Sequence, residues 1–189
     1  DRAALWLAFH EGRYADALLA LERLEAGNVR IEELERGVPY RPTADAAKGM
    51  VEVREGGVAV RYSPGPDLIL VEEAVSCLQD SRKVYDGLFG GGPEHDVVLD
   101  IFPTASRFIA ASGIPPESVR TTGVIALSKW TRLLLTSPRA LGRGYGWKDT
   151  VAHEYIHLVV AVRSDNRAPV WLQEGLAKHL EGWWRDQTA

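Results

Sequence analysis

Thr150-Val151-Ala152-His153-Glu154-Tyr155-Ile156-His157-Leu158-Val159-Val160 is the stretch on which the reading of this chain turns. It is long enough for about three turns of helix. Val151, Ala152, Ile156, Leu158, Val159 and Val160 make it mostly apolar, as in a buried helix. Two histidines and a glutamate in such a helix carry a desolvation cost unless something partners them. Their spacing suggests the partner. Histidines four residues apart project from one face, one turn above each other, and can offer two imidazole nitrogens to a single ion. Glu154 is rotated about 100° from His153. That puts it beside such an ion, where a carboxylate can take a proton from metal-bound water. The pattern is His-Glu-x-x-His, and Zn²⁺ is the ion its chemistry calls for.

The next segment supplies a third ligand. Arg163-Ser164-Asp165-Asn166-Arg167-Ala168-Pro169 is a polar break with turn chemistry, and a second helix is expected to start near Val170. Helix, turn, helix brings Glu174 back towards the first helix. Two histidines and one glutamate with an open fourth position make a catalytic zinc site, whereas a structural site is normally closed by four protein ligands. The metzincin pattern would need glycine at position 160 and histidine at position 163, and the chain has Val160 and Arg163 there.

His-Glu-x-x-His followed by Trp171-Leu172-x-Glu174-Gly175-Leu176-Ala177 resembles the gluzincin metallopeptidases, specifically the peptidase MA-like domains of bacteria. The motif-bearing match runs from about Gly123 to Trp183. The resemblance implies His153, His157 and Glu174 as zinc ligands, Glu154 as general base, and a peptide or protein as substrate. It also implies a zincin-like lobe, in which an edge strand pairs with the extended substrate; Val124 to Ser128 is the candidate, with an internal strand as the alternative. The best-known gluzincins carry an acidic residue four positions after the third ligand, to orient a zinc-binding histidine. Lys178 stands there in this chain, so that support must come from elsewhere, and Glu181 and Asp149 are the candidates. A second electrophile is expected beside the metal. Tyr145, in Gly142-Arg143-Gly144-Tyr145-Gly146, is the candidate, against an ordinary loop tyrosine. Larger gluzincins place a helical subdomain after the third ligand, and almost none of it is present. A minimal enzyme, a very open cleft and a longer native chain all stay open. A non-catalytic peptide-binding module on a zincin scaffold is the competing function; Glu154 argues against it, because a binding module needs no general base.

The rest of the chain reads as an α+β protein. Residues 3–27 are helical. With Gly12, Tyr14 and Ala17 in matching places, residues 1–36 resemble one tetratricopeptide-type hairpin, which implies a protein partner; an ordinary helix pair is the alternative. Residues 37–49 read as a linker and 50–189 as the peptidase domain. Within it, 51–55 and 58–62 form a hairpin, 67–89 a helix, 97–102 a strand, 104–112 a short helix, and 123–127 and 132–136 strands. The metal helix is expected over 148–163 and the last helix over 170–185. Leu172, Leu176, Leu180 and Trp183 should form the core stripe of that last helix. Tyr155, about 200° from His153, should pack away from the metal. His179, about 140° from Glu174, is a surface or core residue, and His10 and His95 have no partners in sequence.

Composition narrows the classes. A hydrophobic fraction of 46% with 25% charged residues is that of a globular domain. The net charge of −4 gives no reason to expect nucleic acid as a partner. Cys77 is alone, so no intrachain disulfide forms, and its apolar-periodic surroundings predict a buried thiol. No run is long enough for a membrane span. No targeting segment is visible, but the chain starts with Asp1 rather than Met. The compartment therefore stays open; an extracytoplasmic or membrane-tethered full-length protein would fit as well.

Overall fold

The computed structural model describes residues 1–27, 38–129 and 132–187. β1 (Val51–Glu55) and β2 (Val58–Tyr62) form an antiparallel hairpin. Its turn is Gly56-Gly57, both at positive φ, as a tight two-residue hairpin requires. β3 (Val97–Phe102) lies parallel to β2, β5 (Arg132–Thr136) parallel to β3, and β4 (Ala126–Lys129) antiparallel to β5. The order is β1-β2-β3-β5-β4, so the protein is α+β with a mixed five-stranded sheet and β4 is one edge.

Every residue of β2, β3 and β5 is buried, because both faces of the sheet are covered. Alternation sorts them. Val58, Val60, Tyr62, Val97, Leu99, Ile101, Leu133 and Leu135 share the main core with α4 (Val71–Phe89) and α7 (Trp147–Ser164). On the other face, Phe102 and Leu134 meet Phe108 and Ala111 of α5 (Ala105–Ser112). The same face turns Arg61, Asp100 and Arg132 towards the N-terminal pair, α1 (Arg2–His10) and α2 (Tyr14–Ala26). The helical hairpin expected at 1–36 is thus a layer of the fold over its described part; residues 28–37 of that reading lie outside the described residues.

Several elements depart from the sequence reading. The stretch read as a linker contains α3 (Tyr40–Ala46), which packs on α2 and α5 and buries Tyr40, Thr43 and Ala46. Polar composition hid a helix whose buried Thr43 donates to the Ala111 carbonyl at 3.0 Å. α6 (Pro116–Thr122) precedes Gly123, which ends it in the left-handed conformation. The edge strand therefore begins at Ala126 rather than 123. The last helix is two: α8 (Val170–Leu180) and α9 (Trp183–Gln187). The break shifts the helical phase, so Ala177, Leu180 and Trp184 join the core and Trp183 does not. Trp183 is 42% exposed and Leu172 36%, which corrects the expected stripe. Among the described residues, no helix is long and apolar enough to cross a membrane.

Candidate metal centre

α7 carries His153, Glu154 and His157 through the middle of the fold, its other sides packed on α4 and the sheet. Asp165 and Asn166 follow it, both left-handed at φ 53° and 55°. The Asn166 N–H donates to the Ala161 carbonyl at 2.8 Å, closing the helix end. This reversal lays α8 back against α7, and Glu174 arrives beside the histidines.

The His153 and His157 Nε2 atoms are 3.2 Å apart. Glu174 Oε2 is 3.7 Å from the first and Oε1 is 3.6 Å from the second. Tetrahedral bonds of about 2.0–2.2 Å put ligand atoms roughly 3.3–3.6 Å apart. The three side chains thus form a triangle of the size one zinc ion needs. The two histidines are half-buried while Glu174 is 59% exposed, so the triangle opens towards solvent on the α8 side.

The His153 ring is held for this arrangement. His153 Nδ1 is 3.0 Å from Glu181 Oε2. A proton on Nδ1 shared with that carboxylate leaves the Nε2 lone pair for a metal. The other Glu181 oxygen accepts from Lys178 Nζ at 2.5 Å. The lysine in the position of the expected acid therefore braces the acid that replaces it. Asp149, the other candidate, is engaged elsewhere: it accepts from Trp184 Nε1 at 3.3 Å and from Arg185 at 2.7 Å, tying α7 to α9. Beside His157 stands Gln173, whose side chain acts upward on the His157 pKa against the effect of burial. The Gln173 amide is itself fixed, donating to the Ala168 carbonyl at 2.8 Å. Burial holds His157 below the ordinary histidine range.

Glu154 is half-buried beside the triangle. Burial pushes its carboxyl up to about 7, against a backbone hydrogen bond from Ser128 and with Glu174 acting in the same upward direction. That hydrogen bond comes from edge strand β4, so the candidate base is aimed from the strand that borders the site.

Tyr145 is placed differently from its expected role. Its hydroxyl donates to the Thr136 carbonyl at the end of β5, and burial pushes the phenol well above its ordinary range. A hydroxyl committed to the backbone tethers the loop before α7, which does not match an oxyanion donor. Tyr155 packs as its helical phase predicts, fully buried with its hydroxyl on Asp86 at 2.5 Å. His179 is exposed, its ring 5.8 Å from that of Trp183. His95 is exposed beside the Asp96 carbonyl, and His10, the last residue of α1, is buried with its ring against Trp6 and Phe9. Cys77 is buried as expected, its thiol pushed up to about 12 by burial.

Sequence reading missed Gln173 and the Ser128 backbone. The only signal for Gln173 was its place in the first turn of α8, where its amide can reach back to the preceding turn. No protein-family model, curated protein or solved structure matches the chain.

Proposed function

We propose that the protein is a zinc metallopeptidase of gluzincin type, its sheet and α7–α8 pair forming a zincin-like lobe. The observation that carries this reading is the triangle of His153, His157 and Glu174, with Glu154 half-buried alongside it. Zinc bound there supplies a polarised water and a Lewis acid for the scissile carbonyl. His153, His157 and Glu174 would hold the ion, and Glu181 keeps the His153 imidazole turned towards it. Glu154 takes the proton of the attacking water and returns it to the leaving amine. The free edge of β4 accepts the backbone of an extended peptide by strand addition, which needs no particular side chain.

One observation favours a second reading, a non-catalytic peptide-binding module on the same scaffold: the Tyr145 hydroxyl is already engaged with the backbone. Zinc content and peptide hydrolysis, measured on wild type and on Glu154→Gln, decide between them. The peptidase reading expects about one zinc per chain in both proteins, with hydrolysis falling by about 10²–10⁴-fold in the variant. Zinc-loaded wild type that binds peptides without cleaving any establishes the binding module instead.

A further inference from the structure

The wall of the cleft formed by α8 differs at its two ends. Towards its C-terminal end, the face bearing Glu174 continues into Lys178 and Glu181, an ion pair that also touches His153. Towards its N-terminal end it carries Val170 and Trp171. These stand four and three residues before Glu174 on an unbroken helix, so they neighbour the ligand on one face, one turn away. Val170 is 71% exposed and Trp171 74%. Neither belongs to a core cluster; Leu176, Ala177 and Leu180 are the α8 residues packed against the main core. Val170 and Trp171 thus form a contiguous bare apolar surface next to Glu174.

We infer that Val170 and Trp171 form a subsite selecting an aromatic or large aliphatic side chain of the substrate, on the side of the cleaved bond nearest the start of α8. The inference rests on the peptidase reading for its occupant. Continuity with Glu174 is the reason for assigning a substrate side chain rather than a second copy of the chain. Helical spacing sets both side chains within one turn of Glu174, so a substrate residue beside the metal centre on that side lies next to them. An indole gives a wide apolar contact with only two torsions to immobilise. The charged Lys178–Glu181 end offers no comparable surface.

The test uses fluorogenic peptides that differ only at the residue flanking the cleaved bond, with Phe or Leu in one set and Ala in the other. Wild type should prefer the apolar set by about tenfold or more in kcat/KM, the range expected of an apolar pocket. Trp171→Ala should reduce that ratio to about two- or threefold. Leu68→Ser, another exposed apolar site, beside the edge strand β1, should leave the ratio intact. An unchanged ratio in Trp171→Ala, or no preference in wild type, overturns the inference. So does a wild-type dimer that Trp171→Ala dissociates without altering the ratio. Binding of the same peptides to Glu154→Gln, read by anisotropy, separates the two levels. An apolar preference there that Trp171→Ala removes supports the subsite even if wild type cleaves nothing, which counts against the peptidase reading alone. Equal binding of both sets overturns the subsite.

Discussion

A metal-binding histidine needs its far nitrogen held, and the carboxylate at His153 Nδ1 is Glu181, one helical turn beyond the position where the motif leads one to expect an acid. Position 178 is three residues short of the acid that contacts His153, and both positions lie near the Glu174 face of α8. Glu181 and Lys178 together do what one acid at 178 would do. The substitution Glu181→Ala should therefore lower zinc affinity by about 10–100-fold while leaving the ligands in place. Lys178→Ala should weaken binding less, because Lys178 is 77% exposed and acts only through Glu181. Competition with a chromophoric chelator checks both values. Equal affinities in wild type and Glu181→Ala would show that the Glu181 contact does not orient His153. That His153, His157 and Glu174 come together was legible because they sit on helices, where spacing fixes direction. The place of Gln173 beside His157 was not, since it depends on how the turn at Asp165 and Asn166 sets α8 against α7.

At the scale of elements, the sequence carried the strongly periodic segments and lost the interruptions. β2, β3, β5, α4 and α7 lie close to where alternation and helical spacing put them. The last helix did not survive as one element. Nothing in Leu180-Glu181-Gly182-Trp183-Trp184 announces a break except Gly182, and the break is held from outside by Tyr85 of α4. The Tyr85 hydroxyl donates to the Leu180 carbonyl at 2.6 Å and accepts from the Trp184 N–H at 3.3 Å. It thus satisfies backbone groups that the interrupted helix leaves open. This partner lies 95 residues away in sequence, beyond any local pattern. Tyr85→Phe keeps the ring and removes both bonds. It should cost about 1–3 kcal/mol, the usual penalty for stranding buried polar groups, and urea denaturation measures it. Trp184 fluorescence should respond as well, since the start of α9 loses its anchor.

The whole molecule is fastened across its sheet by buried charge. Asp100, fully buried, accepts from Tyr14, from Arg132 at 3.1 Å and from Arg61 at 3.4 Å. The Arg132 guanidinium lies 4.6 Å over the Phe9 ring, and Arg61 donates to the Glu11 carbonyl at 2.9 Å. Gly12 is required for this approach: a Cβ there would sit 1.8 Å from the Arg61 guanidinium. The reading of Gly12, Tyr14 and Ala17 as a repeat pattern could not show this, because the partners are strand residues far along the chain. Asp100→Leu alone removes the carboxylate that the buried Arg132 donates to, while Arg61 keeps Glu52 at 2.8 Å, and should cost about 3–5 kcal/mol. Adding Arg132→Met should recover part of that loss, a coupling that a double-mutant cycle reads directly.

His10 lies in the same seam, stacked 4.0 Å from Trp6, and burial with the nearby Arg132 charge pulls its pKa down to about 4. The unfolded chain protonates this histidine near 6.5, so it binds more protons than the folded one between those values. The contribution of neutral His10 is complete above about 6.5 and is lost as the pH falls through about 4. Asp100 works the other way, its carboxyl pushed up to about 6 by burial, so total stability alone cannot isolate His10. The difference between wild type and His10→Phe can, because Asp100 is common to both. Wild type should lose ground to the variant steadily from pH 6.5 to pH 4 and hold a constant offset above pH 7. Urea midpoints at pH 7.5, 5.5 and 4.5 test this, and parallel curves across that range would mean that His10 takes up its proton in the folded seam as readily as in the unfolded chain.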